Sequence, residues 1–111
     1  MKKVLALVVV LGALGCHEVV RDEATYRAEV TFMTTAAMQE AASLVMMVKS
    51  YCRCTNGKFT TPECDIAARR ALVIQTRIPW HKDMMLYNAR LSEERPPSDP
   101  PTVPQAASLC P

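Results

Sequence analysis

Apolar side chains recur at steps of three or four along residues 22–51, which is the spacing of one face of an α-helix. The positions on this face are Tyr26, Val30, Met33, Ala37, Ala41, Leu44, Val48 and Tyr51. Asp22 stands at the N-cap position, and Glu23 lies in the first turn. Residues 26–34 also alternate as a half-buried strand would, but the chain offers no second convincing strand as a partner. The pattern therefore predicts a helix from Asp22 to Tyr51.

A second helix is predicted to begin after a loop over residues 52–60. Within this loop, Asn56 and Gly57 are the residue types that adopt the positive φ angles of a tight turn. Thr61 is then a capping residue, and Pro62 occupies the first helical position, where its missing N–H costs nothing. The apolar face of this helix consists of Ala67, Ala71, Ile74 and Ile78.

Pro79 is expected to kink or end the second helix, because proline removes a backbone donor and clashes with the preceding turn. The helical spacing of apolar residues resumes after it, at Trp80, Met84, Tyr87 and Leu91. This pattern predicts a third helical piece that runs to about Glu94. The helical domain would then cover residues 22–94.

The last part of the chain, residues 95–111, is rich in proline and lacks apolar periodicity. Six of the eight prolines lie between Pro96 and Pro111, a composition typical of an extended polyproline-like segment. The predicted fold class is therefore all-α. It is a small helical hairpin with its second arm kinked at Pro79, disulfide-stapled and followed by a proline-rich C-terminal tail.

The first residues, MKKVLALVVVLGALGC, combine Lys2 and Lys3 with an apolar run over residues 4–14. A positive start followed by about 7–15 apolar residues is typical of a secretory signal. The run is too short for a permanent transmembrane helix, which needs about 20 apolar residues. The chain is therefore expected to be exported.

The end of this segment, Ala13-Leu14-Gly15-Cys16, resembles the cleavage site of a bacterial lipoprotein signal peptide. The resemblance implies removal of residues 1–15, attachment of lipid to Cys16 and a short tether over residues 16–21. It places the protein in the bacterial cell envelope, facing the periplasm and held to the membrane through Cys16. His17 in place of aspartate resembles the pattern of export to the outer rather than the inner membrane. The alternative is an ordinary secretory signal with an incidental cysteine.

Cleavage would change the charge and glycine counts. Removing Lys2 and Lys3 from 13 basic residues leaves 11, equal to the 11 acidic residues, so no basic surplus favours a nucleic-acid partner. Gly57 would be the only glycine left, which excludes dinucleotide-binding and phosphate-binding glycine loops and the nucleophile elbow of hydrolases.

Five cysteines, an odd number, leave four once Cys16 carries lipid. Cys52 and Cys54 are too close in sequence to pair without strain, so each is expected to pair with one of Cys64 and Cys110. Two connectivities stay open. The tail can reach the loop, because fifteen extended residues span about 47 Å. The alternative is a mobile tail whose Cys110 is free or paired between molecules.

No arrangement of residues points to an enzyme, and no cofactor or metal is expected. The alternative is a Cu(I) site with His81, Met84 and Met85 as soft ligands, although methionines at helical spacing also fill cores. Trp80 could mark a recognition surface or lie in the core.

These features predict a lipid-anchored, non-enzymatic interaction or accessory module of the envelope. A two-helix hairpin cannot bury both apolar faces, so an envelope protein partner or self-association is expected. At the level of fold and composition, the chain is similar to secretion pilotins and to proline-rich lysis subunits of phages. A periplasmic copper-binding lipoprotein and a purely structural envelope lipoprotein are the alternatives.

Overall fold

The computed structural model describes residues 22–111, and the predicted signal peptide, Cys16 and the tether lie outside the described residues. Two long helices dominate this part: α1 (Glu23–Tyr51) and α2 (Pro62–Asn88). A two-stranded hairpin connects them, with β1 at Cys54–Thr55 and β2 at Lys58–Phe59. The all-α fold class and the helical hairpin are confirmed.

Helix α1 begins where its capping residue predicts. The backbone N–H of Thr25 donates a 2.7 Å hydrogen bond to Oδ1 of Asp22. Hydrogen bonds from the side chain of Thr25, and then from its backbone, hold the pKa of the Asp22 carboxyl below its usual value. The helix runs without a break to Tyr51, so the alternative of a strand over residues 26–34 is wrong.

The connection between the helices contains the predicted tight turn. Asn56 has φ of 55° and Gly57 has φ of 74°, the positive angles that a two-residue hairpin turn requires. The flanking strands pair Cys54 with Phe59 and Thr55 with Lys58. These strands were not predicted, because two residues are too few to show an alternating pattern.

Helix α2 also begins at its predicted cap, since the side-chain oxygen of Thr61 accepts a 3.3 Å hydrogen bond from the N–H of Cys64. The helix then continues through Pro79 to Asn88. The predicted separate helical piece from Trp80 to about Glu94 is therefore wrong. The kink at Pro79 stays a prediction.

Helix α2 ends at a turn that lacks the usual glycine signal in its sequence. Arg90 has φ of 61°, and the N–H groups of Arg90 and Leu91 donate to the carbonyls of Tyr87 (2.9 Å) and Leu86 (2.8 Å). This is the Schellman arrangement, usually built on glycine. Arginine in its place explains why the sequence predicted a later end.

The core is small. Its central cluster consists of Val48, Cys52 and Ala68, and the residues packed against it are Phe59, Cys64, Ala67, Ala106 and Leu109. Elsewhere between the helices, the buried residues are Val30, Ala41, Ala71 and Leu72. Fully buried alanines allow the helix backbones to approach closely, but they bury little apolar surface.

Two residues that the sequence placed on the buried face of α1 lie on the surface. Met33 is 64% exposed and Tyr51 is 83% exposed. They are separated by about five helical turns and therefore lie at the same edge of the apolar stripe. With only one partner helix, α1 buries the centre of that stripe and leaves this edge in solvent.

Two disulfides close the hairpin end of the molecule, with Cα–Cα distances of 5.8 Å in both. Cys52 pairs with Cys64 and Cys54 pairs with Cys110, so one of the two open connectivities is selected. The tail returns to the loop as predicted, and the alternative of a free Cys110 is wrong. Its last turn is not extended: residues Ala106–Leu109 form a 3₁₀-helix against the core cluster.

Candidate functional site

The side of α1 that faces away from α2 carries no charge. Side chains within about 40° of Phe32 on the helical wheel form this outer face. Its members are Thr25, Ala28, Phe32, Ala36, Gln39, Ser43, Met46 and Ser50, and all are exposed. Phe32 is 74% and Met46 is 70% exposed. A solvent-facing helix surface normally carries charged residues, so this face is unusual.

The five charged residues of α1 lie beside or opposite the outer face: Glu23, Arg27, Glu29, Glu40 and Lys49. The sequence reasoning followed only the buried stripe and missed this surface. The clustering of charge away from one side of α1 was the pattern that could have identified it. The outer face is the first candidate site.

A groove of about 910 Å³ lies on the other side of the molecule, between α2 and the returning tail. Its apolar lining includes Phe59, Val73 and Val103. Its charged residues are Lys58, Asp65, Arg69 and Arg77. We call it the tail groove. The sequence could not predict it, because it exists only where the tail turns back along α2.

A second groove, of about 600 Å³, lies between the helices and shares Asp65, Arg69 and Val73 with the tail groove. Ile66, which is 65% exposed, lies at this interhelical groove. Arg70 and Glu40 join its two walls through a 2.6 Å ion pair. Both partners are largely exposed to solvent, so the pair contributes at most about 1 kcal/mol.

Trp80 holds the start of the tail against α2. Its indole Nε1–H donates a 2.8 Å hydrogen bond to the carbonyl of Pro97, and its ring meets the edge of the His81 ring. Pro79, Pro96 and Pro101 line the same small cavity as the indole. The indole N–H therefore has its hydrogen-bond partner within the chain. Recognition of another protein by Trp80 stays a prediction.

Replacement of Trp80 by phenylalanine is expected to loosen the tail. The change removes the donor to Pro97, and a net hydrogen bond of this kind contributes about 1 kcal/mol to the free energy of unfolding. Limited proteolysis should show faster cleavage between residues 95 and 105, and urea unfolding should show the loss of stability. Tyr51→Phe, at an aromatic residue that is 83% exposed, is the control. Unchanged cleavage of Trp80→Phe would contradict this role.

The possible soft-metal ligands share one stretch of α2. Positions 81, 84 and 85 are neighbours on a helix surface. His81 is exposed, Met84 is half-buried and Met85 is 40% exposed. The four cysteines of the described chain are paired in disulfides, which rules out thiolate ligands from them. A copper site formed by His81, Met84 and Met85 stays a prediction.

Arg27 ties the start of α1 to the end of α2. Its guanidinium donates to the carbonyl of Leu91 at 3.0 Å and to the carboxylate of Glu23 at 3.2 Å. The N-terminus of α1 therefore lies beside the turn that follows α2. The disulfides and the entrance of the tail groove at Lys58 lie at the opposite end, about 43 Å away along the 29-residue helix.

Among residues 22–111, no group of three or more His, Cys, Asp or Glu side chains is arranged to hold a metal ion. Neither helix of that region is long and apolar enough to cross a membrane. Comparison of the chain with protein-family models, with curated proteins and with solved structures gives no match.

Proposed function

We propose that this chain is a lipid-anchored, non-enzymatic interaction module of the bacterial cell envelope. In this role Cys16 carries the lipid and the protein faces the periplasm, attached to the outer membrane. The helical hairpin then binds another envelope protein. The observation that carries the proposal is the uncharged outer face of α1.

The exposed apolar side chains of the outer face do not contribute to the core of the described chain, and this supports a role in binding. Phe32 and Met46 lie along one line of α1 and contact water rather than the core. An exposed apolar strip without charges typically marks a surface that another protein covers. Small residues between them, such as Ala36 and Ser43, would allow a partner helix to approach closely.

The small core supports the same conclusion. Among residues 22–111, Val48 is the largest side chain that is fully buried. The contact between α1 and α2 leaves five large apolar side chains of α1 in solvent: Phe32, Met33, Met46, Met47 and Tyr51. Docking of a third helical element on the outer face would give the hairpin the opposing surface that helix bundles use.

The anchor position supports an orientation in which one end of the hairpin lies at the membrane and the other end points into the periplasm. A lipid on Cys16 would be attached six residues before Asp22 in the sequence, and Asp22 lies at the end of the molecule where Arg27 joins the two helices. The membrane would hold that end, and the outer face and the disulfide end would be available to a partner in the periplasm.

Two measurements test the proposal. Cys16→Ser should move the protein from the membrane fraction to the soluble periplasmic fraction, and retention in the membrane would contradict lipid attachment. A photocrosslinking amino acid at Ala36, on the outer face, should yield one defined adduct with an envelope protein. The matched control is Gln75, an exposed position on α2.

The crosslinking also separates the alternatives. An adduct between two copies of the chain would show self-association instead of a separate partner. No adduct at Ala36, or equal adducts at Ala36 and Gln75, would contradict the interaction module and favour a purely structural envelope protein. Stoichiometric Cu(I) binding that is lost in Met84→Leu/Met85→Leu would favour the copper-binding alternative.

A further inference from the structure

The tail groove has a charge imbalance that its own residues do not neutralise. Arg69 forms a 3.1 Å ion pair with Asp65, and both side chains are substantially exposed. Lys58 and Arg77 form no ion pair within residues 22–111. The groove therefore carries two unpaired positive charges, Lys58 and Arg77, and Arg69 uses only one of its five N–H donors on Asp65.

The basic character extends along the middle of α2. Between Ile66 and Lys82 this helix carries four basic residues, Arg69, Arg70, Arg77 and Lys82, and no acidic one. Arg69 and Arg70 are paired with Asp65 and Glu40, whereas Arg77 and Lys82 form no ion pair within residues 22–111. The chain without residues 1–15 has equal numbers of basic and acidic residues overall, so this segment is a local concentration of positive charge. Such a field attracts and orients negatively charged partners.

The spacing on α2 alternates charge with apolar surface. Arg69, Val73 and Arg77 follow each other at steps of four, and all three line the tail groove. Two guanidinium groups thus start from positions about 12 Å apart along the helix, with an apolar side chain between them. A ligand that matches this row needs carboxylates on either side of an apolar residue, since arginine binds carboxylates through paired hydrogen bonds.

The shape of the surface favours a peptide segment over a lipid surface. The row lies along a concave space that is bounded on one side by α2 and on the other by the tail at Val103 and Ala106. A flat array of headgroups contacts convex surfaces, whereas a polypeptide can insert side chains into a groove of this kind. The groove also begins at the disulfide end, away from the end that directly follows the proposed anchor in the sequence.

We infer that the tail groove binds an acidic amphipathic segment of a partner protein, with its carboxylates on Arg69 and Arg77 and an apolar side chain on Val73. This inference rests on the proposed function as an interaction module, and it names the chemistry of a partner. Phe59 and Val103 extend the apolar contact beyond Val73. The outer face of α1 is a separate surface.

The test uses the full chain, purified in detergent, and a fluorescent synthetic peptide in which glutamates flank leucines at helical spacing. The peptide should bind at low salt, and Arg69→Gln/Arg77→Gln should weaken it about tenfold or more, because both charge-assisted contacts are lost. The double variant should fold, since the Arg69–Asp65 pair is exposed and contributes little. Circular dichroism and the absence of free thiols verify folding.

A matched variant controls for net charge. Lys49→Gln/Arg53→Gln also removes two exposed positive charges, but neither residue lines the tail groove. This control should bind the peptide as the unaltered chain does. An equal loss of binding in both double variants would reduce the effect to overall charge and overturn the inference.

Two further probes decide what kind of anion is bound. Polyglutamate, which has the carboxylates without the leucines, should bind more weakly than the leucine-containing peptide. Glycerophosphoglycerol, the soluble headgroup of phosphatidylglycerol, should not compete with it. Equal binding of polyglutamate, competition by the headgroup, or no binding of the leucine-containing peptide would each overturn the inference.

Failure of this inference and failure of the proposed function give different results. If the chain is anchored through Cys16 and forms a crosslink at Ala36 but does not bind the acidic peptide, only the role of the tail groove in binding is contradicted. A chain that binds the peptide through Arg69 and Arg77 but is soluble with Cys16 intact contradicts the lipid anchor alone.

Discussion

Replacement of Cys54 and Cys110 together by alanine will lower the free energy of unfolding by about 4 kcal/mol. The cysteines are 56 residues apart, and a cross-link that closes a loop of this length removes about that much conformational entropy from the unfolded chain. Small domains are stable by only about 5–15 kcal/mol, so this loss is a large fraction of the total. Urea unfolding followed by circular dichroism measures it.

The other disulfide provides the comparison. Cys52 and Cys64 are 12 residues apart, and the same relation gives about 3 kcal/mol for Cys52→Ala/Cys64→Ala. Only the loss of Cys54–Cys110 should also release the tail, which limited proteolysis would show as cleavage between residues 95 and 105. An unchanged urea midpoint in Cys54→Ala/Cys110→Ala would refute a stabilising role of this bridge.

Ala68→Leu will destabilise the chain by about 1–3 kcal/mol. Ala68 is completely buried in the cluster with Val48 and Cys52, so the larger side chain must displace its neighbours or separate the helices. Helix propensity cannot account for the loss, because alanine and leucine are both strong helix formers. Thermal and urea unfolding of the purified chain measure the difference.

Ala42→Leu is the matched control for this overpacking. Ala42 is exposed on α1, so the same substitution there should change the free energy of unfolding by less than about 0.5 kcal/mol. Equal stability of Ala68→Leu and Ala42→Leu would mean that the helices are not closely packed at Ala68. The pair of variants therefore tests the close contact on which both grooves depend.

Local features of the chain were predictable from its sequence. Asp22 and Thr61 are capping residues that satisfy nearby N–H groups, and they correctly marked the beginnings of α1 and α2. Asn56 and Gly57 correctly marked the turn, because few residue types adopt positive φ. In each case the determining interactions lie within a few residues.

Structural features that depend on an unusual backbone conformation or on residues distant in sequence were not predictable. The stop of α2 relies on Arg90 in a left-handed conformation that sequence pattern assigns to glycine. Pro79 was predicted to kink or to end α2, and only the structure shows that the helix continues through it. Trp80, in the turn that follows this proline, donates to the carbonyl of Pro97 in the tail, a contact that only the folded chain brings together.

The sequence by itself determined an all-α hairpin, the start of each helix, the turn between them and the four cysteines that pair. Only the tertiary structure decided that Cys54 rather than Cys52 receives Cys110, because that choice depends on the path of the tail. It also decided that Arg69 and Arg77 border a concave surface, since the returning tail forms the opposite wall. Caps and turns depend on neighbouring residues, whereas pairings and grooves depend on how separate segments pack.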